Sequence, residues 1–172
     1  LSESAPALAA AGLTDVHVSW HGAGAAEHDY HTGVAGSFAR LVAGVAAARA
    51  AGLPVVATTV VTRSNLRSLT PLAALLHQRG VAAWTLALPR VAGAAASHFD
   101  RVVPRLALAL PFALHALDAA RTLGLDAYID GAPGCLLGPF AARALDGPPR
   151  AFAPVCDGCP ARARCAGVDA HY

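Results

Sequence analysis

The stretch that decides the fold is Val55-Val-Ala-Thr-Thr-Val-Val61, in which nearly every residue is β-branched. This composition is typical of a parallel strand that is covered on both faces. Before the stretch stand Gly52 and Pro54, which end an apolar segment running from Phe38 to Ala51. That segment predicts a helix with Ser37 as its N-cap. The region therefore predicts a helix followed by a buried strand.

The same alternation continues on both sides. Asp15-Val-His-Val-Ser19 alternates polar and apolar residues and predicts a strand, which leads into a Gly-, Ala- and His-rich loop over residues 22–36. Downstream, Leu69–Arg79 predicts a helix that Gly80 ends, and Val81–Leu88 predicts the next strand. This β-α-β-α-β order is typical of a parallel sheet with right-handed crossovers. Apolar residues at helical spacing then predict one helix over Pro104–Leu123.

The cysteines are concentrated near the carboxyl terminus, in a region rich in Gly and Pro. Cys156, Cys159 and Cys165 form a C-x2-C-x5-C pattern, and Cys135 lies in the tight sequence Ala132-Pro-Gly-Cys135. A C-x2-C turn lets two thiolates reach one metal ion or cluster, and Gly158 allows the backbone to approach closely. A tetrahedral site or a cubane needs a fourth ligand, and Cys135 is the remaining thiol. The four cysteines therefore predict a metal-thiolate site.

Several identities remain open for this site. Iron–sulfur and zinc both accept four thiolates, but the paired C-x2-C spacing that is common in zinc ribbons is absent. Arg162 and Arg164 stand beside the ligands and would offset thiolate charge. A set of inert buried thiols is a further alternative. Two disulfides are the least favoured interpretation, because the sequence shows no export signal.

Composition and charge limit the possible partners. The chain of 172 residues is 55% hydrophobic, which is enough for a real core, and its formal net charge is only +2. Because the basic residues are spread along the chain, no surface for nucleic acid is predicted. We also find no secretory signal and no uncharged apolar stretch of membrane-spanning length. These features predict a cytoplasmic protein without a membrane partner.

The order of several motifs resembles the middle of radical S-adenosylmethionine enzymes. The motifs are Val16-His-Val-Ser-Trp-His-Gly22, His28-Asp29, Thr32-Gly-Val-Ala-Gly-Ser-Phe38, Gly52-Leu-Pro-Val-Val56 and Thr59-Val-Val-Thr-Arg-Ser-Asn65. The closing cysteines resemble the SPASM or twitch extensions of that family, which hold an auxiliary [4Fe–4S] cluster. The resemblance implies an α/β fold of partial, half TIM-like β/α barrel type with a small, irregular Cys-rich domain. The implied divisions are a half barrel over residues 1–100, a connecting helix over 101–129 and the auxiliary-cluster domain over 130–172.

The resemblance also implies roles for individual residues. Ser19 matches a position where a hydroxyl contacts S-adenosylmethionine, and Leu88 matches a residue on the adenine side. Arg63 follows the middle strand, where related enzymes often direct a cation towards the substrate. A small molecule or peptide is the implied substrate, and flavodoxin or ferredoxin is a candidate electron donor. The implied ligands of the auxiliary cluster are Cys135, Cys156, Cys159 and Cys165.

Four departures from the family pattern matter. The C-x3-C-x2-C loop that binds the catalytic cluster is missing from these residues, and so is the Gly-Gly-Glu strand that binds the methionine amine. His21 stands where the family commonly has Asp, and Asp169 stands where a SPASM pattern expects a further Cys. We therefore expect one auxiliary cluster and an upstream catalytic half, without which this chain would not generate a radical.

Two other interpretations stay open. The chain could be a non-catalytic α/β binding module in which zinc on the four thiolates staples the carboxyl-terminal loop. It could also be a non-functional remnant. The histidines at positions 21, 28 and 31 form a cluster that could bind a metal, but loop histidines are more often solvated, so no site is predicted there.

Overall fold

The fold is a four-stranded parallel sheet with helices packed on one face. A computed structural model describes residues 1–145, 147 and 151–170. The strands are β1 (Val16–Ser19), β2 (Val55–Val60), β3 (Ala83–Ala87) and β4 (Asp126–Asp130), and they lie side by side in chain order. The helices are α1 (Ala5–Ala10), α2 (Ala25–Thr32), α3 (Ser37–Ala50), α4 (Leu69–Gln78), α5 (Ala94–Ser97), α6 (Phe99–Val102) and α7 (Leu106–Leu123).

The parallel α/β prediction is confirmed, with some differences in the elements. β4 was not predicted, because its sequence Asp126-Ala-Tyr-Ile-Asp130 is short and begins and ends with an acidic residue. The residues 22–36, predicted as a loop, contain the helix α2. Gly36 rather than Ser37 occupies the N-cap position of α3, with a left-handed φ of 75°. In the long apolar segment, Pro104 precedes α7, and α5 and α6 lie upstream of it.

The two faces of the sheet differ in burial. On one face, the residues of β2, β3 and β4 are buried, including Ala57, Trp84 and Ile129, while Val16 and Val18 of β1 are half-buried. On the opposite face, Val56, Thr58, Thr85 and Tyr128 are only half-buried, and Ser19 is exposed. The prediction that β2 is covered on both faces is therefore wrong for the described part of the chain. Parallel sheets usually have both faces covered, so this open face is unusual.

The covered face holds the hydrophobic core. α4 and α7 pack against each other, and both contribute buried side chains, such as Leu72, Leu76 and Leu117. Trp20 and Trp84 are fully buried, and their polar atoms are satisfied. The Trp84 Nε1–H donates to Thr59 Oγ1 at 2.9 Å, and the Thr59 hydroxyl donates to the Trp20 carbonyl. This chain of hydrogen bonds joins Trp84 of β3 to the carboxyl ends of β2 and β1.

One helical stretch, Phe99–Leu123, is long and apolar enough to cross a membrane by length and composition alone. The core helix of a globular domain meets the same test. Within this stretch α7 has a buried face, formed by Ala109, Leu110, Ala113, Ala116, Leu117 and Ala120. That face contributes to the core beside α4 and β4.

Candidate functional site

The three family-derived site positions lie at one edge of the sheet. Ser19 is the last residue of β1, Leu88 follows β3 directly, and Arg63 comes three residues after the end of β2. Because the strands are parallel, their carboxyl ends meet at the same edge. Barrel enzymes build their active sites from the loops at this edge. Ser19 is exposed on the open face, whereas Leu88 is buried.

Arg63 is anchored to the segment that precedes α7. Its backbone N–H donates to the Val102 carbonyl at 3.1 Å, and its Nε–H donates to the Val103 carbonyl at 3.1 Å. These bonds hold the end of β2 against residues 102–103. The substrate-binding role of Arg63 stays a prediction.

Leu88 lies beneath the carboxyl-terminal segment. It borders a small cavity together with Val103, Val168 and Asp169. The Val91 N–H donates to Asp169 Oδ2 at 3.2 Å, which ties the segment to the loop after β3. Val168 and Asp169 therefore pack against the loop after β3 at the carboxyl edge of the sheet, where the barrel site is expected. The adenine-side role of Leu88 stays a prediction.

The C-x2-C segment forms a tight turn. The Cys159 N–H donates to the Cys156 carbonyl at 3.1 Å, and Gly158 has a φ of 79°, which L-residues with a side chain rarely adopt. The Gly167 N–H points at Cys165 Sγ from 3.4 Å. A backbone amide in this position stabilises a thiolate. The local backbone therefore suits thiolate ligation, and all four cysteines are free thiols.

Cys135 and Cys165 face the same cavity, although they are 30 positions apart in the chain. The cavity measures about 540 Å³ and is also bordered by Arg164, whereas Cys156 and Cys159 do not line it. Among the described residues, no three His, Cys, Asp or Glu side chains are placed so that together they could hold a metal ion. The donor set has the chemistry of an iron–sulfur or zinc site, and the structure brings two of its members to one cavity.

The two arginines beside the cysteines differ in their surroundings. The Arg162 Nη1 lies 2.6 Å from Asp157 Oδ1, and its guanidinium also stacks 5.0 Å from the Phe152 ring centroid. Its charge is therefore already paired within the loop. Arg164 lines the cavity that Cys135 and Cys165 share. Of the two, Arg164 is better placed to offset thiolate charge.

His21, which lies in the loop after β1, is close to His28 and His31 on α2. The His21 ring is stacked with the rings of His28 and His31, with centroid separations of 5.9 and 5.6 Å. His28 is buried, and its Nδ1 accepts the His21 backbone N–H at 3.1 Å. The His31 Nδ1 donates to the Glu27 carbonyl at 2.8 Å, while its Nε2 contacts Thr62 Oγ1 at 2.8 Å. The cluster is held by specific hydrogen bonds.

His21 has the most perturbed ionisation in this region. Burial, followed by the neighbouring charges of His31 and His28, lowers its pKa from 6.5 to about 4. Its Nδ1 is buried and lacks a hydrogen-bond partner among the described residues. At neutral pH, His21 is therefore an uncharged imidazole at the edge where the site is expected.

Asn65 is a site residue that sequence reasoning missed, since it appeared only as the last residue of a motif. Its side chain is buried, and its Nδ2 donates to the His21 carbonyl at 3.0 Å and to the Val60 carbonyl at 2.9 Å. Its Oδ1 accepts the Thr62 N–H at 2.8 Å. Asn65 thereby ties the loop after β1 to the end of β2.

Comparisons with known proteins bear on the family of the chain. No family model matches the chain. Over 101 residues, the chain is 35% identical to an AdoMet-dependent heme synthase of Nitratidesulfovibrio vulgaris (strain Hildenborough). The match covers 59% of this chain but only 28% of that protein. The chain thus spans well under two thirds of the length of this relative. The similarity supports a relationship to the radical S-adenosylmethionine enzymes.

Proposed function

We propose that the chain forms the substrate-side part of a radical S-adenosylmethionine enzyme and holds an auxiliary [4Fe–4S] cluster. Such an enzyme would be an oxidoreductase or would mature a peptide or a small molecule. The single observation that carries the proposal is the 35% identity to the AdoMet-dependent heme synthase over 101 residues. The relative's own reaction is not transferred with it, because most of that protein lies outside the match.

The open face of the sheet supports the proposal. All four strands are parallel, yet helices cover one face and the other is half-buried or exposed. In a β/α barrel the helices lie outside and the second face points inwards, where further strands enclose it. A half barrel would show this asymmetry. Ser19 lies on the open face at the carboxyl edge, where contact with S-adenosylmethionine is expected.

The cysteine region supports the second part of the proposal. Cys135, Cys156, Cys159 and Cys165 would hold the cluster, and the Gly167 N–H directed at Cys165 Sγ suits a ligating sulfur. When bound, the cluster would supply electron transfer or a binding position for substrate. Burial and hydrogen bonds to sulfur would set its potential. The residues that bind the catalytic cluster would lie outside these 172.

The site also implies partners and a compartment. We propose that the substrate is a small molecule or peptide, that flavodoxin or ferredoxin donates electrons, and that the protein acts in the cytoplasm. Nucleic acid and membrane are not part of the proposal. Free thiols agree with a reducing compartment.

Anaerobic reconstitution with iron and sulfide tests the cluster assignment. We expect broad absorbance near roughly 400 nm, together with iron and sulfide in about four copies per chain, as in cubane clusters. Cys135→Ala should lose most of this iron. Leu136→Ala is the matched control, because Leu136 is the adjacent exposed residue and carries no ligand atom. Unchanged iron in Cys135→Ala would refute the fourth-ligand assignment.

The same sample tests the zinc alternative. A colourless protein that retains one zinc per chain after exposure to both metals would support a structural staple in a binding module. That result would end the auxiliary-cluster proposal.

A further inference from the structure

A cavity of about 440 Å³ lies at the carboxyl edge of the sheet, and its lining includes His21, two residues after Ser19. It is separate from the cavity that Cys135 and Cys165 line. It is bordered by the residues that follow β1, by the end of α2, by the end of β2 with the loop that follows it, and by the segment that contains α6. Its volume falls within the range of small-molecule sites. The lining residues are His21, Tyr30, His31, Val60, Thr62, Ser64, His98, Arg101 and Val102.

The lining is basic and contains no carboxylate. Arg101 is exposed and forms no ion pair with the described residues. The two acidic residues on α2 are committed elsewhere. Glu27 accepts the Ala23 N–H at 3.1 Å, and Asp29 accepts N–H groups at the start of α3 from Gly36 at 2.6 Å and Phe38 at 2.8 Å. The cavity therefore offers a positive charge without a counter-ion.

One wall of the cavity is polar and fixed. A carbonyl oxygen can only accept, so the His31 Nδ1–H donates to the Glu27 carbonyl at 2.8 Å, which leaves Nε2 directed at the hydroxyls of the wall. This nitrogen is reached by Thr62 Oγ1 at 2.8 Å and by Ser64 Oγ at 3.1 Å. The two hydroxyls lie 3.0 Å apart. The hydroxyls and imidazoles are thus held in place before any ligand arrives.

The rest of the lining is aliphatic or aromatic. It consists of Val60, Val102 and the ring of Tyr30, which is 67% exposed. A ligand that fits would combine an anionic head with a flat or apolar body. Guanidinium recognises carboxylates and phosphates through paired N–H donors, whereas the aromatic and aliphatic side chains would cover the body.

We propose that this cavity binds a small molecule with an anionic head group and an aromatic or apolar body, and that Arg101 is the charge partner of the head group. The assignment of this molecule as the enzyme's substrate rests on the proposed function. Binding itself does not depend on S-adenosylmethionine or on a cluster.

Fluorine NMR titration of the 172-residue chain tests the proposal. The probes are 4-fluorobenzoate, 4-fluorophenyl phosphate and uncharged 4-fluorobenzamide. We expect saturable binding of at least one anion and much weaker binding of the amide, and the tighter anion identifies the head group. Loss of a hydrogen-bonded charge in Arg101→Gln should weaken anion binding roughly tenfold or more. Arg101→Lys should restore part of the affinity.

The matched control is Arg105→Gln, which removes an exposed arginine four positions away that does not line the cavity. Its affinity for the anions should equal that of the unchanged chain. The proposal is overturned if neither anion binds, if the amide binds equally well, or if the two glutamine variants lose affinity to the same extent. If the unchanged chain incorporates iron but binds neither anion, this site alone is rejected. If the unchanged chain binds an anion but incorporates no iron, the cluster is rejected and this site stands.

Discussion

Removal of the Asn65 side chain is the most direct perturbation of the edge that builds the site. Asn65 is 1% exposed, and its amide satisfies the carbonyls of His21 and Val60 and the N–H of Thr62 at 2.8 to 3.0 Å. Asn65→Ala leaves these groups without their partner. An unsatisfied buried polar group costs about 1–3 kcal/mol. Because water can reach some of them, we expect a total loss of about 3 kcal/mol.

Thermal unfolding followed by circular dichroism measures this loss. For a domain of this length, each kcal/mol lowers Tm by about 2–4 °C, so Asn65→Ala should melt about 6–12 °C lower. Asn65→Asp retains the acceptor for Thr62 but places negative oxygen against two carbonyls, so it should not rescue stability. Arg67→Ala, at an exposed neighbouring position, should change stability by less than about 0.5 kcal/mol. If Asn65→Ala had the same Tm as Arg67→Ala, the inference that the Asn65 amide stabilises the contact between the two loops would be wrong.

Three further predictions concern protonation and backbone geometry. The NMR resonances of the His21 ring should titrate with a midpoint near pH 4. Because the folded pKa of His21 lies below 6.5, the free energy of unfolding should decrease as the pH drops from 6.5 towards 4. A midpoint near 6.5 would contradict the burial of this ring. The hydrogen bond from the Phe38 N–H lowers the pKa of Asp29 below its ordinary 3.8, so the stability that Asp29 contributes is present above pH 3.8 and is lost as the pH falls through the lower folded pKa. Asp29→Asn should remove this acid sensitivity. An unchanged acid transition in chemical denaturation would count against the hydrogen bonds from Asp29 to the start of α3. Gly167→Ala would place Cβ against the Ala151 carbonyl oxygen and should reduce metal retention. Gly134→Ala, next to Cys135 and with open space around it, should retain the metal. Equal metal content of the two variants by elemental analysis would argue against the close approach of Gly167 to Ala151.

The parallel sheet could be predicted because β2 is β-branched and glycines end the flanking helices. β4 escaped prediction because two of its five residues are acidic, and its burial depends on α7 rather than on local composition. The helix α2 escaped because its sequence Ala25-Ala-Glu-His-Asp-Tyr-His-Thr32 has no apolar periodicity. It is positioned instead by polar contacts, such as Asp29 at the start of α3.

The candidate site shows the same division. The spacing of the cysteines is visible along the chain, and the family resemblance singled out Ser19, Leu88 and Arg63, whose roles stay predictions. The bridge made by Asn65 and the contact of His31 with Thr62 join residues that are 44 and 31 positions apart. Such long-range hydrogen bonds leave no periodic signal in the sequence. That helices cover only one face of the sheet likewise depends on tertiary packing and could not be read from the sequence.

The central claim is that four thiolates of this chain saturate an iron–sulfur cluster. Mössbauer spectroscopy of the iron-57 reconstituted protein, recorded with and without S-adenosylmethionine, tests it most directly. With Cys135, Cys156, Cys159 and Cys165 as ligands, every iron has a protein thiolate, so the spectrum should be that of a [4Fe–4S] cluster and should not change when S-adenosylmethionine is added. A distinct iron site that shifts on its addition, or a protein that binds no iron, would contradict the claim.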